Sequence, residues 1–467
     1  MTTQKPRFLR VSLLYFCSTF LSKLAVFLLL PLYTAKIPTG DMGVFDTATA
    51  IAMLLAATLF CDVGIGVMQA YLAADGEKAQ GAVLAAGLLQ MGVSLLIYLP
   101  LGAVFAYVTH VPYGALAVLY GAANALLAAA GYFARARGLS LWYAAVSLLA
   151  TLLQVGLNLL FLLVFDMGYE ALYVSFIAAT VLCALLLFWR AGAFCALRAL
   201  PDCGAAFCAQ LRFCLPLGIS AAAYLVLTSG ARVLTTLCLD AEAGGVVAIA
   251  MKLAQVAFVV GAVLRFVWQE LCFTKGFDEN GAGDRAYYAV RVSLLLRVIL
   301  AGALLLVPLL RVWLWLFPSF IAPAYAEAAR LLPIMLLGAL LSVVADFLEP
   351  PLAMLKKTGA ILLTCATGAA LSVVTTLVLF KLGVGMWGAA LGFCSGFLCV
   401  VLLRLVLLSR LLRVRVPRTI WALPTALVPV ALYLWLPPIG SLLLLLILLP
   451  FCVFLLMPLL RLWQKAR

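Results

Sequence analysis

Runs of twenty or more apolar residues follow one another along the chain, parted by short stretches of Gly, Pro and charge. A membrane-spanning helix needs roughly 20 apolar residues, so this pattern predicts a polytopic all-α membrane protein. Short alternating segments, the mark of a β-barrel, are missing from the pattern. Cutting at the polar breaks predicts 14 transmembrane helices, near 9–35, 44–72, 81–108, 114–134, 141–165, 171–190, 213–238, 246–272, 287–316, 327–354, 360–381, 387–408, 420–436 and 441–460. The basic opening, with Lys5, Arg7 and Arg10, resembles the front of a secretory signal. Its apolar run extends to about Tyr33 with no small-residue cleavage site, so it reads as a first span that is kept.

The longest cytoplasmic loop, 191–212, falls after the sixth span and divides the first twelve into two sets of six. The predicted organisation is a first six-helix bundle over 1–190, a linker over 191–212, and a second bundle over 213–408. A basic linker with an appended helix pair follows over 409–467. An even number of spans per half gives a parallel repeat. "DMGVFDTATA" opens span two and "AGGVVAIAMK" opens span eight, both at a Gly-Val helix start.

Composition agrees with the pattern: 67% of residues are apolar and 10% charged, more apolar than a water-soluble domain can be. Charge then sets an orientation. With the N-terminus cytoplasmic, most of the 31 Lys and Arg residues fall on the cytoplasmic side. Only Lys36, Arg311, Arg330 and Lys381 fall on the other, as the positive-inside rule requires. Both termini are then expected in the cytoplasm. The net charge of +14 is accounted for by this topology and by anionic lipid headgroups, and makes no case for nucleic acid.

The 13 cysteines are scattered. Cys195, Cys203, Cys208 and Cys214 share one stretch but fit no common zinc spacing, so they read as free thiols. The single His, His110, reads as interfacial. "GVGMWG", Gly383 to Gly388, matches a dinucleotide fingerprint by letter, but it joins two spans and reads as a tight turn. No metal, cofactor or enzyme motif is expected.

Ionisable residues inside spans are costly and mark function by default. The first such residue is Lys23, near the centre of "YFCSTFLSKLAVFLLLPLY". Ser12, Tyr15, Thr19 and Ser22 recur beside it at three- and four-residue spacing, a polar stripe on one helix face. Span seven repeats the device with Ser220, Tyr224, Thr228, Arg232 and Thr235. Span eight carries Lys252 with Gln255 one turn on, and Arg265 with Gln269. Asp46, Asp62 and Asp346 are the candidate coupling acids. Arg404, Glu349, Glu270 and Arg297 lie close enough to span ends to snorkel. Cations outnumber acids in spans one, two, seven and eight, which points to an anionic ligand. Internal ion pairs, such as Asp62 with Arg265, are the bland alternative.

"LSKLAVFLLLPLYT" followed by "GDMGVFDTATAIAMLLAATLFCDVGI" resembles the opening of bacterial O-antigen-type polysaccharide flippases. These belong to the multidrug/oligosaccharidyl-lipid/polysaccharide exporter superfamily. "RFCLPLGISAAAYLVLTSGARVLTTLCLDAEAGGVVAIAMKLAQV" and "LGVGMWGAALG" extend the resemblance over nearly the whole chain. It implies two six-helix bundles in a V, with a central cavity lined by spans one, two, seven and eight. It also implies a monomer in the bacterial cytoplasmic membrane that passes a polyprenyl-pyrophosphate-linked glycan to the outer leaflet. Lys23, Arg232 and Lys252 would engage the pyrophosphate, with Arg265 deeper, beside glycosyltransferases and a polymerase of the same pathway. Many relatives place an acid directly before the span-seven Arg. This chain has "SGAR", with Ala231, so that internal acid–Arg pair is missing, which is expected to leave Arg232 freer and argues against proton coupling through that position. The rivals are a drug exporter or lipid II flippase of the same superfamily and, from another class, a membrane glycosyltransferase or polymerase.

Overall fold

A computed structural model describes residues 24, 27–257, 284–355, 357–411, 432–433 and 437–465. The described chain is helix joined by turns and short 3-10 segments, with no strand among these residues. Nine of its helices are long and apolar enough to cross a membrane. They correspond to predicted spans two to seven and ten to twelve. Spans nine and fourteen fall on the helices Asp284–Leu316 and Pro438–Lys465, whereas spans one, eight and thirteen run into residues outside the described set.

The helices divide into two compact units. Among the described residues the first takes 24, 27–29 and Lys36–Gly245, and the second takes Leu30–Ala35 and the chain from Val246 onward. A short helix α1 (Leu30–Lys36) precedes α2 (Thr39–Phe60) and α3 (Val63–Ala73). Together α2 and α3 form predicted span two, which is broken where one continuous helix was expected. Four further long helices follow: α4 (Glu77–Thr109), α5 (Gly114–Ala136), α6 (Ser140–Leu159) and α7 (Glu170–Arg190). A π turn, Leu160–Val164, closes α6. The first unit is completed by α8 (Gly204–Cys238) and the start of α9 (Ala241–Ala254).

Small residues let these helices approach closely, the usual device where lipid removes a hydrophobic drive between helices. The rings of Phe133 and Phe188 meet edge to face at 5.4 Å between α5 and α7. The Tyr98 hydroxyl, fully buried on α4, donates to the carbonyls of Ala52 on α2 and Val118 on α5, at 3.2 and 2.9 Å. Asn158 on α6 accepts from Ser175 on α7 at 2.5 Å. Each bond satisfies a buried polar group that would otherwise cost several kcal/mol.

Helix α8 begins at Gly204, well inside the stretch expected to be linker. Hydropathy reports burial in lipid, whereas a helix continues as long as its backbone bonds do. The rest of that stretch is a single helical turn at Ala193–Ala196 and a 3-10 segment at Leu197–Asp202. Cys203 and Cys214 are buried, whereas Cys195 and Cys208 are exposed, so the four thiols do not converge. His110 is exposed at the end of α4, its ring 6.0 Å from that of Tyr107.

The second unit contains α10 (Asp284–Leu316), α11 (Ala326–Met354), α12 (Thr358–Lys381), α13 (Met386–Leu411) and α14 (Pro438–Lys465). The "GVGMWG" stretch is the tight turn between α12 and α13, with Gly383 and Gly385 at φ of 76° and 63°. At the next helix start a Cβ on Gly388 would lie 3.0 Å from the Leu379 side chain.

Arg404 corrects the sequence reading. It does not snorkel to a span end: it is fully buried on α13. Its guanidinium donates to the Ala345 carbonyl at 2.6 Å, the Glu349 carboxylate at 3.3 Å, the Thr364 hydroxyl at 3.3 Å and the Cys365 sulfur at 3.2 Å. One cation thus ties α13 to both α11 and α12. Glu349 is likewise an ion-pair partner and no bystander at a span end.

Candidate functional site

Arg232 lies on α8, and its side chain is 15% exposed. Its Nη1 donates to both carboxylate oxygens of Asp46, at 2.7 Å each, and its Nη2 donates to Ser229 Oγ at 2.9 Å. Asp46, on the second turn of α2, is 12% exposed. Arg232, expected to be freer for want of an adjacent acid, is therefore held by Asp46. Ala231, the buried residue directly before Arg232, offers no acid, and α2 supplies one instead across 186 residues of sequence. A removed local partner is replaced by a tertiary one because an unpaired guanidinium in a low-dielectric site is costly. The Arg232 Nε stays without a hydrogen-bond partner among the described residues.

The helices that hold this pair are pressed together by hydroxyls and glycines. Directly after Asp46, Thr47 donates to Thr236, one turn beyond Arg232 on α8, at 2.7 Å. At the helix starts, a Cβ on Gly43 would lie 2.8 Å from the Gly245 nitrogen, with the Ala241 carbonyl nearer still. The two Gly-Val starts noted in the sequence thus meet each other, and a methyl on either glycine would force them apart.

On the same face as Arg232, Thr228 donates to its own helix at the Tyr224 carbonyl, 3.0 Å away, and buried Thr235 donates to the Ala231 carbonyl at 2.8 Å. These hydroxyls close on their own backbone and do not bridge helices. Ser220 and Tyr224 are half-buried.

Asp62 sits at the break between α2 and α3. Cys61 and Asp62 both adopt the left-handed conformation, with φ of 48° and 47°, a state non-glycine residues enter at a cost. Such a break frees backbone carbonyls that must find donors inside a membrane. Ser94 supplies one to Leu59 at 2.9 Å, and the Cys61 thiol supplies another to Thr58 at 2.9 Å. Helix α8 crosses the break at Gly218, where a Cβ would come within 2.8 Å of the Cys61 Cα. Beside the break lies a cavity of about 250 Å³, lined by Asp62, Asn124, Tyr132 and Tyr224 among apolar residues such as Phe60 and Ala128. The sequence named Asp62 and Tyr224, but not Asn124, Tyr132 or the cavity.

The remaining expected residues belong to the second unit or lie outside the described residues. Lys252 is half-buried on α9 and Gln255 is half-buried just beyond it, both in the second unit. Asp346 is half-buried on α11, three residues before Glu349. Lys23, Ser12, Tyr15, Thr19, Ser22, Arg265 and Gln269 lie outside the described residues. The alternative pairing of Asp62 with Arg265 therefore also lies outside them. Among the described residues no group of three or more His, Cys, Asp or Glu could hold a metal ion.

No family model and no curated protein matches the chain. Solved structures do. The chain is similar to the lipid II flippase MurJ in an inward closed conformation, with a TM-score of 0.70 and 12% identity, covering 96% of this chain and 100% of that one. It is also similar to an inward-facing multidrug resistance MATE family transporter of the MOP superfamily. There the TM-score is 0.65 and the identity 12%, over 84% of this chain and 96% of the other. A MATE protein in complex with MaL6 gives a TM-score of 0.57 at 14% identity, over 87% and 95% of the two chains. The fold is that of these transporters. With this fold and its long apolar helices, the protein is a multi-pass membrane protein whose structural neighbours are transporters and flippases.

Proposed function

We propose that the protein is a flippase that moves a polyprenyl-pyrophosphate-linked oligosaccharide from the cytoplasmic to the outer leaflet by alternating access. The observation that carries this reading is the bidentate grip of Arg232 on Asp46. A guanidinium N–H donates to carboxylate and phosphate oxygens alike, so on this reading the Asp46 carboxylate at Arg232 Nη1 stands in for a pyrophosphate oxygen pair. Binding is then an exchange: the lipid-linked anion displaces Asp46 and brings more negative charge to Arg232 than the carboxylate did. Lys23, Lys252 and Arg265 are the further cations this reading assigns to the pyrophosphate. The similarity in fold to a lipid II flippase supports the class of cargo, and the paired Arg on α8 supports an anionic headgroup.

The bacterial cytoplasmic membrane, the cytoplasmic termini, a monomeric state and work beside glycosyltransferases and a polymerase belong to the same proposal. The test is mass spectrometry of lipids that co-purify with the wild-type protein and with Arg232→Ala. A polyprenyl-pyrophosphate glycan held by the wild type and lost from the inserted variant is the expected result. Equal retention by both, or recovery of phospholipid alone, refutes the reading.

A further inference from the structure

We infer that the ends of α5 and α7, with the start of α6, form a binding site for the headgroup of an anionic glycerophospholipid. Three arginines meet there. Arg135 lies in the last turn of α5, Arg137 follows as its cap, and Arg190 ends α7. The Arg135 guanidinium carbon is 4.1 Å from the centre of the Tyr132 ring and 5.1 Å from that of Tyr143 on α6. Next to Tyr143 in sequence, Trp142 carries the Arg190 guanidinium over its ring at 5.2 Å. Arg137 Nη1 donates to the Ala191 carbonyl at 2.5 Å, which ties the end of α5 to the residue after Arg190. Rings and a backbone carbonyl thus fix the three charges without cancelling them. A guanidinium stacked on a ring keeps its N–H edge for in-plane acceptors, and that edge fits phosphate oxygens. Arg137 and Arg190 are exposed and Arg135 is half-buried, so the cluster reaches the surface.

The surface beside the cluster decides between a lipid and a soluble anion. Trp189 is 69% exposed next to Arg190, and Leu185 and Leu182 continue the same face of α7 at 52% and 58%. On α6 the exposed residues Leu141, Leu149 and Leu152 likewise lead away from Trp142. In a membrane-spanning chain such faces meet acyl chains, and a Trp at a span end sits at headgroup depth. A soluble anion would engage the arginines alone. A glycerophospholipid with a net negative headgroup engages the arginines through its phosphate and the leucine faces through its tails, and basic pockets between helices bind such headgroups. The site stands apart from the Arg232–Asp46 pair. Phe45, directly before Asp46, meets the ring of Tyr120 near the start of α5 at 6.3 Å. Arg135 lies fifteen residues further along that helix, about 22 Å at 1.5 Å per residue. Every residue of the cluster belongs to the first unit, and the inference does not rest on the flippase reading.

The test is native mass spectrometry of the full-length protein, delipidated in detergent and titrated with dioleoylphosphatidylglycerol or dioleoylphosphatidylcholine. A saturable first binding step with phosphatidylglycerol is expected, about tenfold or more tighter than with phosphatidylcholine. Arg135→Gln/Arg137→Gln/Arg190→Gln is expected to bring the two lipids to equal affinity. A charge-matched variant at exposed basic residues elsewhere, Arg212→Gln/Lys357→Gln/Arg410→Gln, is expected to keep the preference. Arg232→Ala is expected to keep it too, which separates this outcome from that of the cargo experiment. If the cluster triple variant does not fold, Trp142→Leu/Arg190→Gln alters only exposed side chains and decides the matter alone, with an expected loss of about threefold or more. Equal affinity of the wild type for both lipids, an unchanged preference in either folded cluster variant, an equal loss in the charge-matched variant, or full displacement by inorganic phosphate at the lipid's concentration would overturn the inference.

Discussion

Removing Asp46 should be worse for the protein than removing Asp46 and Arg232 together. Both side chains are nearly buried, at 12% and 15% exposure, and their two contacts are 2.7 Å long. Breaking a buried ion pair from one side costs about 3–5 kcal/mol, because the remaining charge stays desolvated without a partner. The residual exposure lets water reach the stranded guanidinium, and Ser229 still accepts from its Nη2. These two reliefs place Asp46→Ala at the lower end, about 3 kcal/mol. In the double variant Asp46→Ala/Arg232→Ala no charge is stranded, so the loss falls to the packing and hydroxyl contacts alone. The assay is a double-mutant cycle on detergent-solubilised protein, following unfolding in increasing denaturant. The expected order of stability is wild type, then the double variant, then Asp46→Ala, with a coupling energy of about 2 kcal/mol. Additive losses, with the double variant the least stable of the set, would refute the reasoning.

Two further predictions rest on other contacts. Arg404→Ala strands the Ala345, Thr364 and Glu349 acceptors in the core of the second unit and should destabilise by about 3–5 kcal/mol. Arg404→Met with Glu349→Gln, which removes the charge from both sides, should recover most of that loss in the same unfolding assay. In the first unit, Lys36 donates to Asp166 at 2.7 Å and holds that carboxyl below the usual Asp range. A lowered native pKa stabilises above the unfolded value and loses its contribution as pH falls through the lowered one. Acidification should therefore loosen the segment around Asp166, read as faster hydrogen exchange at Asp166–Gly168, and Lys36→Ala should show that loosening already at neutral pH.

The broken span two shows where one-dimensional reading stops. Lipid demands long apolar helices, and that demand is written in composition, so the spans Gly114–Ala136, Glu170–Arg190 and Met386–Leu411 were legible to within a few residues. The Gly-Val starts of spans two and eight were legible too, because close helix approach requires glycine in either setting. The break at Cys61–Asp62 carries no Pro or Gly at its centre. It is stabilised by Ser94 and by Gly218 pressing on the backbone, partners 33 and 157 residues further along the chain.

Charges followed the same division. Composition alone marked Arg232, Asp46, Asp62 and Arg404 as expensive in a membrane. Whether each cost is met by a counter-ion, a carbonyl or a ligand depends on which helices lie alongside. Arg232 looked freer only because its local neighbour is Ala231, and Arg404 looked peripheral only because its distance to the end of its helix was the one measure available. Local pattern determined that the chain spans a membrane many times and which residues must find partners there. Tertiary packing decided which partners they found, because an ion pair forms between helices that are adjacent in space and distant in sequence.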